Sequence, residues 1–186
     1  MAKLTMFNFI TVNGFFQGEN GDISWHKHSN AEDEAEYSKK GVQSGGILLF
    51  GRKTFQMMAS FWPTDQAKQM MPVMAEGMNK AEKIVVSSTL KSADWENSRI
   101  LSGDLIEEVK QLKQGTKDIA ILGSGSLITQ LSDARLIDHY ELMMDPLALG
   151  KGTPIFNDMK SPLDLKLVNL IQFKSGTIVL SYEPKK

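Results

Sequence analysis

Three short, unbroken apolar runs constrain this chain more than any other feature: Ile47-Leu48-Leu49-Phe50, Ile84-Val85-Val86 and Ile119-Ala120-Ile121-Leu122. A strand with one wet face alternates apolar and polar residues. A run that is apolar at every position has both faces buried, as the inner strands of a parallel sheet do. Each run passes into a turn of glycines, hydroxyls or cations: Gly51-Arg52-Lys53-Thr54, Ser87-Ser88-Thr89 and Gly123-Ser124-Gly125-Ser126. Helical patterns are read over 54–59, over the Met-rich stretch 66–79, over 103–113 with Leu105, Ile106, Val109 and Leu112 on one stripe, and from Ser124 to about 133. Upstream, 3–12 reads as a strand ended by Asn13-Gly14, a Gly-rich loop runs to Trp25, and 31–40 reads as a helix capped by Ser29 or Asn30. After Asp138 the pattern turns to strands at 139–145, 164–173 and 176–183, the last two joined by a hairpin at Ser175-Gly176. The expected fold is α/β: a mixed, mostly parallel sheet covered on both faces, with a C-terminal antiparallel hairpin, in one domain over 1–186.

Composition narrows the function. The 21 Lys and Arg nearly balance 22 Asp and Glu, so a broad electrostatic grip on nucleic acid is not expected, although a local basic pocket is. Cysteine is absent, which excludes disulfide scaffolds, thiolate metal sites and cysteine nucleophiles and fits a cytoplasmic location. The first ten residues alternate and include Asn8, unlike an export signal, and no apolar run reaches membrane-spanning length.

The turn Leu122-Gly123-Ser124-Gly125-Ser126-Leu127, between a buried strand and a helix, is the sharpest local motif. Close glycines let backbone N–H groups approach a diphosphate, and the helix N-terminus favours negative charge. The plain alternative is a tight strand–helix turn. A full G-x-G-x-x-G fails at Ile128, and a nucleophile elbow fails at Leu127. Arg52, Lys53 and Thr54 also suit a phosphate, with a solvated basic turn as the alternative; Ser87, Ser88 and Thr89 are either further donors or a polar turn. Three such turns after three buried strands favour a nucleotide, because ligands of open α/β sheets bind outside the strands' carboxyl ends.

On helix 31–40, a helical projection puts Glu34 mid-arc on a face with Ala31, Ala35, Tyr37, Ser38, Gly41 and Val42, leaving Glu32, Asp33 and Glu36 outside it. An acid on such a face is a candidate proton donor; the alternative is a half-solvated surface acid. His26 and His28 form an H-x-H pair without a recognisable third ligand, so no metal is expected. Trp25 and Trp62 are core residues or stacking surfaces for a flat heterocycle, and the methionines at 57, 58, 70, 71, 74 and 78 are adaptable core or pocket lining.

The ordered set Thr11-Val12-Asn13-Gly14, Gly18 to Trp25, Gly51-Arg52-Lys53-Thr54-Phe55, Phe61-Trp62-Pro63, Lys83 to Leu90, Leu122-Gly123-Ser124-Gly125, Leu136-Ile137-Asp138 and Pro146 to Phe156 resembles the dihydrofolate reductase superfamily. It is most similar to bacterial proteins related to the C-terminal reductase domain of the riboflavin-biosynthesis deaminase/reductase. The resemblance implies a three-layer α/β/α fold and NADPH across the strand ends. It implies that Gly51, Arg52, Lys53 and Thr54 with Ser87, Ser88 and Thr89 hold the adenosine side and its 2′-phosphate. Gly123, Ser124, Gly125, Ser126 and Leu127 would hold the diphosphate. Thr11, Val12 and Gly18 belong to the segment that would cover the nicotinamide, and Trp25, Phe55 and Trp62 would face the substrate. Relatives commonly carry Ser-Leu-Asp-Gly where this chain has Thr11-Val12-Asn13-Gly14, and the carboxylate of a true folate enzyme, five residues after the loop Trp, is replaced by Asn30. The expected activity is NADPH-dependent reduction of a small pterin-like or ribosylaminopyrimidine-like heterocycle, with Glu34 as proton donor, in a homodimer. A nucleotide-binding module without a substrate site is the alternative. No deaminase segment is read in the chain.

Overall fold

The computed structural model describes residues 1–26, 33, 34, 36–38 and 46–185. The proposed caps Ser29 and Asn30, His28, and positions Ala31, Ala35, Gly41 and Val42 of the inferred helix face lie outside the described residues. Of that helix, residues 33, 34 and 36–38 are helical.

Strands β1 (Leu4–Thr11) and β2 (Phe15–Gln17) precede β3 (Ile47–Gly51), which runs into helix α1 (Arg52–Phe61). Helices α2 (Asp65–Met70) and α3 (Pro72–Lys80) follow, then β4 (Glu82–Val86), β5 (Ser98–Leu101), α4 (Leu105–Lys113), β6 (Ile119–Leu122), α5 (Gly125–Asp133), β7 (His139–Asp145), β8 (Thr153–Pro154), β9 (Leu165–Gln172) and β10 (Ile178–Pro184). Eight strands form one sheet in the order β5-β4-β3-β6-β1-β7-β10-β9, and β2 pairs with β8. From β5 to β7 every pairing is parallel; β10 is antiparallel to both β7 and β9.

The two-residue period of the strands sorts side chains into two layers. Ile47 and Leu49 of β3 pack with Val109 of α4 and with Leu127, Ile128 and Leu131 of α5, whereas Leu48 and Phe50 pack with Phe55, Ala67, Ala75 and Met78 of α1 to α3. Along β1, Leu4, Met6 and Ile10 join the first layer, and Phe7 and Phe9 face Tyr37, Phe173 and Val179 on the other side. The sheet is therefore sandwiched, as the apolar runs predict, and the hairpin closes through Gly176 at φ +91°.

The elements differ from the sequence reading at several points, the short strands β2 and β8 among them. The single helix expected over 66–79 is two, because Pro72 cannot donate an N–H inside a helix and instead occupies the first position of α3. The helix expected over 54–59 begins two residues earlier and ends at Phe61. Strand β5 was not expected: Ser98-Arg99-Ile100-Leu101 is short, lies at the sheet edge and exposes Arg99, which dilutes any apolar pattern. Lys83 immediately precedes the second apolar run yet is fully buried. Its ammonium donates to the carbonyls of Met78, Asn79 and Ala81 at 2.7–2.9 Å and lies 4.5 Å from the Trp95 ring centre. Burial pulls its pKa down to about 8. These bonds tie the end of α3 to β4 and so fix where β4 delivers Ser87.

Candidate functional site

A cavity of about 520 Å³ opens at the carboxyl ends of β3, β4 and β5, walled by the start of α1, the β6–α5 turn and strand β2. It gathers Gly51, Arg52, Lys53 and Thr54, then Ser87, Ser88 and Thr89, then Ser124, Gly125, Ser126 and Leu127: eleven positions singled out in the sequence, from three separate turns. Phe16, Gln17, Ser102, Gly103 and Gln130 complete its polar and aromatic wall, and these were not singled out. Ser102 and Gly103 follow the unrecognised β5, so no strand end pointed to them.

The helices that open onto the cavity begin without side-chain caps. Helix α1 starts after Gly51 and α5 after Ser124, and no side chain of either capping residue bonds the first turn. By contrast, Thr64 accepts the Ala67 N–H to start α2, and Asp104 accepts the Glu107 N–H to start α4. The first N–H groups of a helix have no partner within it and carry partial positive charge. Two such ends face one cavity whose rim bears the exposed cations Arg52 and Lys53. This arrangement can hold an extended, multiply charged anion.

The turns are also packed against each other. Ser124 holds a left-handed backbone, φ +70°, and a β-carbon on Gly51 would fall within 2.1 Å of its Oγ. A β-carbon on Gly125 would lie 2.9 Å from the Phe16 ring. Gly123, at φ +71°, does not line the cavity; its missing side chain makes room for Thr54. Ser87 is buried, and its Oγ accepts the N–H groups of Thr89 and Leu90, closing the turn after β4.

Thr11, Val12 and Gly18 lie outside the cavity lining. Thr11 Oγ1 donates to Asn13 and accepts the Phe15 N–H, Val12 is largely exposed, and Gly18 donates to the Asp22 carbonyl. This segment is fastened to 147–155: Asn13 bonds Leu149 in both directions, Ile155 donates to Gly14, and β2 pairs with β8. The proposed substrate residues are not brought to the cavity either. Phe55 is buried between Phe50 and Trp95, Trp62 packs on Phe61 with its N–H on the Met58 sulfur, and Trp25 is buried with its N–H on the Asp22 carbonyl.

A second set of polar groups lies further along the same sheet edge. Glu34 is 5 % exposed, as its helical face predicts, and accepts a hydrogen bond from Ser175 Oγ in the β9–β10 turn. Ser175 Oγ in turn accepts the Thr177 N–H. Asp33, placed outside that face by the projection, is half-buried and accepts the Lys174 N–H, while Glu36 is exposed. Burial, with the Glu141 carboxylate beside it, pushes the Tyr37 phenol well above its ordinary pKa. His26 Nδ1 lies 2.8 Å from Asp145 Oδ2, both side chains under a tenth exposed, and its ring stacks on Phe9 at 3.7 Å. Sequence reasoning considered His26 only for a metal and passed over Asp145. An acid as the last residue of a buried strand was the available signal. Among the described residues no group of three or more His, Asp or Glu could hold a metal, and no helix is long and apolar enough to cross a membrane.

Residues 2–179 match the family model described as the RibD C-terminal domain. A relative, the uncharacterized protein YyaP of Bacillus subtilis (strain 168), is 30% identical over 175 residues, covering 93% of this chain and 90% of its own. Among solved structures, a protein assigned to riboflavin biosynthesis from Shewanella sp. PV-4 superposes with TM-score 0.77 at 19% identity, over 100% of both chains. A diaminohydroxyphosphoribosylaminopyrimidine deaminase/5-amino-6-(5-phosphoribosylamino)uracil reductase from Thermotoga maritima gives 0.67 at 15% identity, over 99% of this chain and 57% of its own. Dihydrofolate reductase from Enterococcus faecalis, complexed with NADP(H) and RAB-propyl, gives 0.63 at 14%, over 99% and 97%. The fold is that of the dihydrofolate reductase superfamily, as the ordered motifs imply.

Proposed function

The chain belongs to the RibD C-terminal domain family, and on that premise we propose that it is an NADPH-dependent reductase of a small pterin-like or ribosylaminopyrimidine-like heterocycle. The observation that carries this reading is the convergence of two uncapped helix N-termini and two cations on one cavity. The names of the solved relatives support it: one is a uracil-derivative reductase and another holds NADP(H).

Arg52 and Lys53, beside Ser87 and Ser88, pair with the 2′-phosphate of the cofactor. The N–H groups of Ser124, Gly125 and Ser126 hold its diphosphate, with Leu127, whose own N–H donates to the Ser124 carbonyl, packed behind them, and the segment from Thr11 through Gly18 to Trp25 shields its nicotinamide from water. Bound there, NADPH supplies hydride to carbon. Reduction of a C=N bond then needs one proton on nitrogen, and Glu34 is the candidate donor. Its burial and its place after the covering segment support that role, and Ser175 orients its carboxyl group.

Titration with both nucleotides tests the cofactor. Charge-assisted bonds to the 2′-phosphate are worth roughly 1.5–3 kcal/mol each, so NADPH is expected to bind at least about tenfold more tightly than NADH. Equal affinities would remove the 2′-phosphate role. Nicotinamide absorbance in the presence of dihydropterins and ribosylaminopyrimidines then tests the reaction. Tight NADPH binding with no oxidation by either class would favour the non-catalytic module.

The enzyme is proposed to act as a homodimer. Strand β9 lies at the sheet edge and exposes Leu167, Val168 and Leu170 at 43–53 %. An apolar edge strand is a ready pairing surface, and a second copy covers it symmetrically. Light scattering at micromolar concentration is expected to give twice the chain mass; a monomer would refute the dimer.

A further inference from the structure

Two asparagine–glycine pairs lie in the segment between β1 and Trp25: Asn13-Gly14 and Asn20-Gly21. Glycine puts no side chain beside its backbone nitrogen and leaves the chain free to turn, so that nitrogen can close a five-membered ring onto the Cγ of the preceding asparagine. The fold treats the two pairs in opposite ways. The Asn13 amide is bonded at both ends: Oδ1 accepts the Thr11 hydroxyl at 2.8 Å and the Leu149 N–H at 3.2 Å, and Nδ2 donates to the Leu149 carbonyl at 2.7 Å. Gly14 is tied as well, its N–H on the Thr11 carbonyl and its own carbonyl on the Ile155 N–H. Ring closure at Asn13 therefore breaks bonds to a segment 136 residues away. Asn20 is exposed, and among the described residues no hydrogen bond holds its side chain. It stands in a 3₁₀ turn, Glu19–Gly21, in the left-handed region at φ 58°, ψ 22°. A single 3₁₀ turn is a weak hold, and a left-handed residue with a β-carbon loses nothing by leaving that region. A β-carbon on Gly21 would meet only the Gln17 side-chain oxygen, at 4.0 Å, so the ring has room.

We propose that Asn20 is a modification site, converted by attack of the next residue's backbone nitrogen to aspartate and isoaspartate, and that the bonds on Asn13 protect the other pair. The Gly21 nitrogen gives its proton to solvent and attacks Asn20 Cγ. The N–Cγ bond forms, the Cγ–Nδ2 bond breaks, and the amide nitrogen takes a proton from solvent and leaves as ammonia. Water then opens the ring. Opening at Cγ restores the main chain with an aspartate; opening at the main-chain carbonyl leaves an isoaspartate, joined to Gly21 through its side chain. One water is consumed, one ammonia is released, and nothing is oxidised or reduced. Either product adds a negative charge between Glu19 and Asp22. Isoaspartate also adds a methylene to the main chain, inside a turn closed by the Gly18 N–H on the Asp22 carbonyl at 2.7 Å and the Asp22 N–H on the Glu19 carbonyl at 3.1 Å. The Asp22 carbonyl takes the Trp25 indole N–H too, so the change reaches the ring that ends the segment. That a loosened segment alters turnover rests on the reductase reading; the modification itself rests on this geometry.

The test incubates the full chain in warm, mildly alkaline buffer. Trypsin then releases residues 4–27 as one peptide carrying both pairs, so tandem mass spectrometry follows the two conversions side by side. In the folded protein Asn20 is expected to convert at least about tenfold faster than Asn13. In urea, where neither pair is held, the two rates are expected to converge. An Asn20 that stays intact would refute the site. Equal rates in the folded protein would show that the bonds on Asn13 protect nothing, and a difference of the same size in urea would show that neighbouring sequence sets it; either overturns the proposal. NADPH titration of the fresh protein is a separate readout: its failure would sink the reductase reading without touching the conversion at Asn20.

Discussion

Two stretches of one sheet edge treat their polar groups in opposite ways. Over β3, β4 and β6 the helix starts lack side-chain caps and the cations stand at a rim. Over β1, β7 and β10 the polar side chains at the strand ends are paired within the chain, Thr11 with Asn13, Glu34 with Ser175 and His26 with Asp145, although Asn8 Oδ1, further down β1, is buried without a hydrogen-bond partner. An unspent donor costs free energy in a buried setting unless a ligand or water satisfies it, so the first stretch advertises a ligand. A satisfied pair reads equally as scaffold or as a site closed on itself. Only substitution separates these readings.

The largest effect is expected at Glu34. If it donates the proton, Glu34→Gln should lower turnover about 10²–10⁴-fold while leaving NADPH affinity nearly unchanged. The glutamine still offers Ser175 an acceptor, so the stability change should stay near 1 kcal/mol, roughly one neutral hydrogen bond. Ser175→Ala sharpens the test. It keeps the acid and removes the partner, and should cost much less than Glu34→Gln. Equal losses in the two variants would make Glu34 a prop for the β9–β10 turn.

Next in size is Gly125→Val, which probes the uncapped stretch. A side chain there must push against Phe16, whose ring a β-carbon would already approach to 2.9 Å. It should cost about 1–3 kcal/mol of stability as overpacking and lower NADPH affinity by roughly 10–150-fold through lost charge-assisted bonds. Asp104→Ala is its counterpart at a helix that is capped internally. It should cost about 1 kcal/mol of stability and leave NADPH binding untouched. A folded Gly125→Val protein with full affinity would break the contrast.

The contrast also explains what could be read from the sequence. The β3, β4 and β6 turns follow immediately on apolar runs, so motif and strand end are adjacent in the chain, and their eleven cavity residues could be named. Their tertiary meeting then follows from parallel pairing alone. The pairs on the other stretch join residues 119 and 141 positions apart, and no local pattern encodes such a distance. Glu34 was reachable because burial of a helical face repeats with the helix, whereas its partner Ser175 was not. Trp62 and Phe55 misled for a related reason: aromatic residues beside a functional turn pack the core as readily as they meet a ligand, and here they pack it.

The smallest effect lies in Ser124, where the two stretches differ in strain as well as in pairing. A left-handed backbone at a residue with a β-carbon costs about 1–2 kcal/mol, and this one, at φ +70°, immediately precedes α5 on the cavity wall. Glycine would remove that cost but adds freedom to the unfolded chain, an offset of about 0.4–1 kcal/mol. Ser124→Gly should therefore stabilise by about 0.5 kcal/mol, a rise in Tm of about 1–2 °C for a chain of this size. Ser124→Ala separates strain from the hydroxyl: it keeps the β-carbon and should give no gain. Because the proposed diphosphate contacts are backbone N–H groups, Ser124→Gly should bind NADPH slightly less well, through a looser turn rather than a lost bond. A gain in Ser124→Ala equal to that in Ser124→Gly would show that the hydroxyl, and not the backbone angle, is the destabilising element of this turn.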